Sequence, residues 1–236
     1  MKNIGAIIFS RMTSTRLPEK AQRNVGSKTL LEIVIERTKK IKGIDHICVA
    51  TSTDLSDDKI VSISEKNGIP VYRGSLNNVI QRAIESSLKF SYSDFLRICG
   101  DRPFLDPKMY DELLVNHNNN NNDLTTNILP RRVPGGLSGE VIRVKTLQQI
   151  KLKISNKSEK EHITKYFYEN QKEFLIQNVD QSHKVIPIDY KLTIDDLDDY
   201  QKTIWIYDNL NQKDHYDTQK IMNLNIEWTN SKNKLN

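Results

Sequence analysis

Apolar and polar positions fall in alternating blocks along the first half of the chain. The run Ile4-Gly5-Ala6-Ile7-Ile8-Phe9 is apolar throughout and predicts a strand buried on both faces. Beyond a polar stretch, Leu31, Val34, Thr38 and Ile41 recur three and four residues apart, which predicts a helix over residues 29–42. The alternation then repeats. It predicts a strand over 46–51, a helix over 57–67 closed by Gly68, and a short strand over 69–72. A helix over 76–90 follows, with Val79, Ile80, Ala83 and Ile84 turned inward, and then a strand over 94–99. Such repetition predicts an α/β fold, a mostly parallel sheet covered by helices.

After Pro107 the pattern predicts a helix to about residue 115, and the asparagine-rich stretch 116–122 reads as an exposed loop. From Leu124 the segments shorten. Arg131-Arg132-Val133-Pro134-Gly135-Gly136 is the strongest turn signal, with a strand over 140–144 beyond it. Helices are predicted over 159–170 and 197–210, with strands over 174–179 and 190–194 between them. No internal repeat is visible, and the polar residues 231–236 read as a frayed end.

The 236 residues suffice for one substantial domain, and 37% hydrophobic with 28% charged residues is a globular balance. The net charge of +5 comes from Lys and Arg interleaved with Asp and Glu, which argues against a nucleic acid polymer as partner. No stretch approaches the ~18 apolar residues of a membrane span, and a secretory leader pattern is missing, so the expected location is cytoplasmic, without a membrane partner. Cys48 and Cys99 sit in strand-like runs without a CxxC spacing and read as buried reduced thiols rather than a zinc site.

In open parallel sheets, ligands sit beyond the carboxyl ends of strands. Three polar segments fall there: RMTSTRLPEK (11–20), RGS (73–75) and GDRPFLDP (100–107). In the first, Arg11, Arg16 and Lys20 supply charge, Ser14 and Thr15 supply hydroxyl and backbone donors, and Pro18 stiffens the loop. That set suits a nucleoside triphosphate with about four negative charges. The bland reading is a solvated basic turn. Asp101 could likewise be a turn cap, and 195–199 an acidic helix start complementing the dipole, the reading preferred for Asp196, Asp198 and Asp199.

The whole string changes that weighing. RMTSTRLPEK resembles the R-x-x-S-T-R-L-P-x-K signature of CTP-dependent cytidylyltransferases that make CMP-activated sugars. The nearest branch is that of spore coat polysaccharide biosynthesis, with the CMP-keto-deoxyoctulosonate and CMP-acylneuraminate synthetases as relatives. Ala50-Thr51, VYRGSLNNVIQRA (71–83), RICGDRPFLDP (97–107), GGLSGEVI (135–142), EKEHITKYFYEN (159–170) and LTIDDLDDY (192–200) match in the family's order, with coverage to about Leu210.

The resemblance implies a Rossmann-like nucleotidyltransferase fold with a mixed, mostly parallel sheet flanked by helices. It implies one domain over 1–236, with a nucleotide-binding half (1–123) and an acceptor-binding and dimerisation half (124–210). It also implies CTP as co-substrate, Mg²⁺ as cofactor, and transfer of CMP to a sugar or sugar acid with release of pyrophosphate, for surface glycan synthesis. Asp101 and Asp195 would be the metal ligands and, with Arg11 and Lys20, the catalytic set. Arg11, Ser14, Thr15, Arg16 and Lys20 would hold the triphosphate; Arg73, Ser75, Asn78 and Arg82 would face the cytidine. Arg97, Arg131, Arg132, Glu140, Glu161 and His162 fall in the segments that would take the acceptor. Relatives are commonly homodimers, which places 133–144 and 159–179 at an expected interface.

Thr13 and Glu19 stand where the family has glycine, with Glu19 expected to face solvent, and Leu197 stands where it has a helix-starting proline. Two alternatives remain at this stage. One is a metal-dependent glycosyltransferase using a sugar nucleotide; the other is a non-catalytic nucleotide-binding regulatory subunit, which Thr13 and Glu19 alone suggest.

Overall fold

The structure, a computed structural model, describes residues 2–44, 46–181 and 188–233. The chain runs through β1 (Ile4–Phe9), a short ribbon of β2 (Asn24–Val25) and β3 (Lys28–Thr29), α1 (Leu30–Thr38), β4 (His46–Ser52) and α2 (Asp58–Lys66). It continues through β5 (Val71–Gly74), α3 (Val79–Lys89), β6 (Asp94–Cys99), α4 (Pro107–Asn119), β7 (Leu124–Thr126) and β8 (Glu140–Arg143). Then come α5 (Val144–Lys151), α6 (Lys157–Glu161), α7 (Lys165–Glu169), β9 (Ile176–Asn178), α8 (Leu197–Asp208) and α9 (Thr218–Asn233).

Seven strands form one sheet in the order β5-β4-β1-β6-β8-β7-β9. Pairing is parallel except at β8, which runs antiparallel to both β6 and β7. The apolar run of β1 is explained by its place inside the sheet, where helices cover both faces. Ile8 packs with Leu31 and Val34 of α1, Ile60 of α2 and Leu113 of α4 on one face. Ile7 packs with Ile80 and Ala83 of α3, Leu147 of α5 and Phe167 of α7 on the other. A third cluster joins Ile206 of α8 and Ile221 and Met222 of α9 to Phe104, Leu137 and Leu192. Fully burying each Ile, Leu, Val, Phe or Met among them contributes about 1.5–3 kcal/mol.

From β1 the chain builds β4 and β5 on one side, then returns to place β6 on the other, which leaves a crevice where the order reverses. The carboxyl ends of β1 and β6 come together there closely. A Cβ on Gly100 would stand 2.9 Å from the Ser10 side chain and 3.1 Å from the Phe9 carbonyl, so glycine permits the approach.

Several elements differ from the expectation. Helix α1 ends at Thr38, and α3 begins only after Asn78, whose side chain accepts from the Gln81 amide as N-cap. The asparagine tract is partly helical: α4 continues through Asn119 because His117 is fully buried and bonds Asp94 and Thr125, so tertiary contacts override weak propensity. The helix expected over 159–170 is broken at His162 into α6 and α7.

Residues 190–194 form no strand of the sheet. They are tied to two loops instead, with an isolated bridge between Lys191 and Gly135, the Leu192 amide bonding Gly135 O at 2.8 Å and the Ile194 amide bonding Asp101 O at 3.0 Å. Gly136, at φ 103, makes the close contact possible, since a Cβ there would lie 2.8 Å from the Leu192 carbonyl carbon. Helices α5 and α9 were not foreseen, and α9 reaches into the expected frayed end; residues 234–236 lie outside the described residues. Most of 133–144, one of the two expected interface segments, is buried within its own chain. No helix among the described residues is long and apolar enough to cross a membrane.

Candidate active site

A cleft of about 410 Å³ opens at the carboxyl ends of β1 and β6. One wall is the loop after β1, which contributes Arg11, Thr13, Ser14, Thr15, Arg16 and Lys20. The loop holds itself in shape: the Met12 carbonyl accepts from the amides of Ser14 (2.9 Å) and Glu19 (3.2 Å), while Met12 and Leu17 are buried beneath. Its polar side chains are thereby left facing the cleft. Glu19 lies outside, exposed and 3.1 Å from Lys59, with a left-handed backbone at φ 57.

Asp101 follows β6, and the Ile194–Asp101 backbone bond brings Asp195 beside it. Lys20 Nζ lies 3.1 Å from Asp101 Oδ2 and 3.8 Å from Asp195 Oδ1, and donates to Ile194 O at 2.7 Å. Arg16 reaches Asp195 Oδ1 at 3.3 Å, and Lys191 reaches its Oδ2 at 3.0 Å. Burial alone would raise the Asp195 carboxyl; Lys191, Lys20 and Arg16 together hold it below its ordinary value.

Two carboxylates close enough to share the Lys20 ammonium can share another cation. Their oxygen-only donor set suits a hard divalent ion that takes few protein ligands and keeps several waters. Among the described residues no group of three or more His, Cys, Asp or Glu forms a complete metal cage. Further ligands would therefore come from phosphate oxygens and water.

The remaining lining is mixed. Val79 and Phe9 supply apolar surface near Arg82, which is only 2% exposed and donates through Nη1 to Ser75 O at 2.7 Å. Its buried Nε has no partner, and burial together with Arg11 lowers the guanidinium to about 10. An unpaired donor of this kind is costly until an acceptor arrives. Arg11 bonds Glu161 at 2.9 Å, and Glu161 and His162 lie where α6 ends.

Arg97 also lines the cleft, with its guanidinium anchored to Glu140 at 2.5 Å. Burial alone would raise the Glu140 carboxyl, but Arg97 and the Tyr168 hydroxyl hold it below its ordinary value. Removing either member of so buried a pair costs about 3–5 kcal/mol.

The cleft thus brings together Arg11, Ser14, Thr15, Arg16, Lys20, Arg82, Arg97, Asp101, Glu161, His162 and Asp195. Five other residues singled out in the sequence, besides Glu140 behind Arg97, lie elsewhere. Arg73 is turned onto the β4–α2 connection, Ser75 accepts from the Asn78 amide, and Asn78 caps α3. Arg131 donates to Val133 O at 3.4 Å, and Arg132 lies 3.9 Å from Asp180, both away from the cleft.

Two supporting residues escaped sequence reasoning. Lys191 contacts Asp195 directly, and Asp199, read as a helix-start charge, turns inward to accept from the Asp195 amide at 3.0 Å and to pair with Lys191. No spacing rule links them, because 191–196 is not helical and the contacts arise from how the segment is held against its neighbours.

Residues 5–226 match the sequence model of a family described as cytidylyltransferase. The spore coat polysaccharide biosynthesis protein SpsF of Bacillus subtilis is 29% identical over 229 residues, covering 95% of this chain and 94% of the relative. A 3-deoxy-manno-octulosonate cytidylyltransferase of Geobacter sulfurreducens is 31% identical over 115 residues, 48% of this chain and 44% of the relative. Among solved structures, a cytidylyltransferase from Leptospira borgpetersenii superposes with a TM-score of 0.89 at 28% identity, covering 96% of each chain. Carrying the family's pattern along nearly its full length, on the same fold and around a cleft of paired cations and carboxylates, the chain belongs to the cytidylyltransferase family and is a nucleotidyl-transferring enzyme.

Proposed function

We propose that the chain transfers CMP from CTP to a hydroxyl of a sugar or sugar acid, releasing pyrophosphate, in the assembly of a surface glycan. The observation that carries this reading is the convergence of Asp101 and Asp195 on one ammonium, facing a loop of three cations across a single cleft. The likeness to a polysaccharide biosynthesis protein and to an octulosonate cytidylyltransferase supports the acceptor class.

Arg11, Arg16 and Lys20 bind the β and γ phosphates and stabilise charge on the departing pyrophosphate. Each leaves a carboxylate to do so: Glu161, Asp195 and Asp101 respectively. Arg82 and Val79 form the wall that would face the nucleoside. Arg97, Glu161 and His162 face the acceptor, so residues 1–123 bind nucleotide while 124–210 supply most of the acceptor side. Asp101 and Asp195 would hold Mg²⁺, which would supply Lewis-acid chemistry at the α-phosphate. The reading includes a cytoplasmic homodimer joined through 159–179, where Leu175 is 60% exposed.

The test is Asp101→Asn, assayed for pyrophosphate release from CTP with a panel of sugar and sugar-acid acceptors. The expected loss is about 10²–10³-fold in kcat; near-normal turnover overturns the assignment. A nucleoside diphosphate as product would instead identify a glycosyltransferase.

A further inference from the structure

Asp57 is fully buried and lies outside the cleft, yet both its carboxylate oxygens are engaged. Oδ1 accepts from the Met12 amide at 2.7 Å. Oδ2 accepts from Thr51 Oγ1 at 2.8 Å, the Ser52 amide at 2.9 Å and the Ser52 hydroxyl at 2.5 Å. A buried carboxylate is tolerated only when its oxygens are satisfied in this way. Three of these bonds tie it to the last two residues of β4. The fourth crosses to the triphosphate loop.

Met12 is the residue on which that loop is organised. Its carbonyl receives the amides of Ser14 and Glu19, so the start of the loop is fastened to its far end. With its amide held by Asp57, the residue has both backbone groups fixed. Lys59, two residues beyond Asp57, reaches the far end of the loop through Glu19.

Arg73 completes the arrangement. Its Nε donates to Ser52 O at 3.0 Å, Nη2 to Asp54 O at 2.8 Å and Nη1 to Asp58 Oδ1 at 2.5 Å. A guanidinium fork is suited to closing a turn at three points at once. The contacts form one sequence: Arg73 holds the turn, the turn holds Asp57, Asp57 holds Met12, and Met12 holds the loop.

We propose that the β4–α2 turn, acting through Asp57, preorganises the triphosphate loop, so that Asp57 is a positioning residue for nucleotide binding and Arg73 is its support. A loop left unfastened must be ordered by the nucleotide itself, and that cost appears as weaker binding. The kinetic consequence rests on the nucleotide reading of the cleft; the ordering of the loop does not.

Two variants test it, Asp57→Asn and Arg73→Met. In Asp57→Asn, either orientation of the amide sets its N–H group against the N–H of Met12 or of Ser52. In ligand-free protein, amide exchange over residues 12–20 should speed up at least about tenfold in Asp57→Asn, and by less in Arg73→Met, with β1 and β6 unchanged. The KM for CTP should rise about tenfold or more, within the range seen for outer-sphere supports, while kcat stays within about threefold.

A folded Asp57→Asn protein with unaltered exchange in the loop overturns the proposal, as does a loss of kcat at constant KM. Should Asp57→Asn fail to melt cooperatively, Arg73→Met decides: faster loop exchange with an unchanged preference for CTP over UTP supports positioning. A changed preference makes Arg73 a base-reading residue and overturns its role here. If wild-type protein shows no turnover of CTP, the functional reading fails while the exchange measurement still judges this one.

Discussion

Replacing Lys20 with methionine should have opposite effects on metal binding and on turnover. The ammonium holds Asp101 at 3.1 Å and Asp195 at 3.8 Å, with side-chain exposures of 17% for the lysine and 26% for each aspartate. A charge-assisted hydrogen bond contributes about 1.5–3 kcal/mol. The longer contact adds little and the partial exposure screens both, so about 2 kcal/mol is a fair total. A divalent ion entering an empty cleft must compete with that. In Lys20→Met it need not, and methionine keeps the packing of the lysine stem. Without nucleotide, the variant should therefore bind Mn²⁺ about 10–30-fold more tightly than wild type by calorimetry. Arg16 and Lys191 still neutralise Asp195, so the two carboxylates do not simply repel each other apart. With CTP present, loss of a phosphate-binding cation should lower kcat/KM about a hundredfold or more. A variant that binds Mn²⁺ no better than wild type, or that turns over normally, refutes the idea that Lys20 serves the carboxylates and the phosphates in turn.

Buried His117 has its basicity lowered from 6.5 by burial, against the pull of Asp94. The unfolded chain therefore binds the proton more readily, and stability should fall as pH drops below about 6.5. His117→Gln should be less stable at pH 7 by about 1–3 kcal/mol through lost bonds, with the gap in melting curves narrowing toward pH 5; a constant gap counts against this. Glu19→Gly should be more stable than Glu19→Ala, since both lose the Lys59 contact and only glycine relieves the left-handed backbone. The relief of about 1–2 kcal/mol less an unfolded-state cost of about 0.4–1 leaves about 0.8 kcal/mol at mid-range, a melting difference of roughly 2–3 °C, and a lower melting point for Glu19→Gly would contradict it.

The α/β class and the central strands were legible because strands covered on both faces are written as unbroken apolar runs, as β1 is. The family resemblance holds across the chain, as the match over 5–226 shows. The cleft was legible where residues follow strands directly: the loop after β1, and Asp101 after β6. Legibility failed where tertiary context decides what a polar residue does. Arg73 lies near the end of a strand and Asn78 beyond it, yet one closes a neighbouring turn and the other caps a helix. Asp57 read as no more than a helix start, because nothing local reveals that Met12 lies across from it. The stretch 190–194 had the composition of a strand but bonds to loops instead, and that departure is what delivers Asp195 to Asp101. Helix α9 went unseen because Asn223, Asn225, Thr229 and Asn230 depress propensity while Ile221, Met222 and the packing of Trp205 on Trp228 hold it in place.

The reversal of direction between β6 and β8 has an evolutionary consequence. Arg97 and Glu140 are paired in register, so the first residue of β8 stands behind the cleft-lining end of β6 and holds Arg97 from there. One side is fed by connections that follow parallel strands, whose register is coupled across the sheet; the other is fed by the break at His162, where Glu161 and His162 line the cleft. Insertions in the latter leave the spacing of the parallel strands untouched. Residues around that break could therefore be remodelled in a lineage without disturbing the loops that follow the parallel strands.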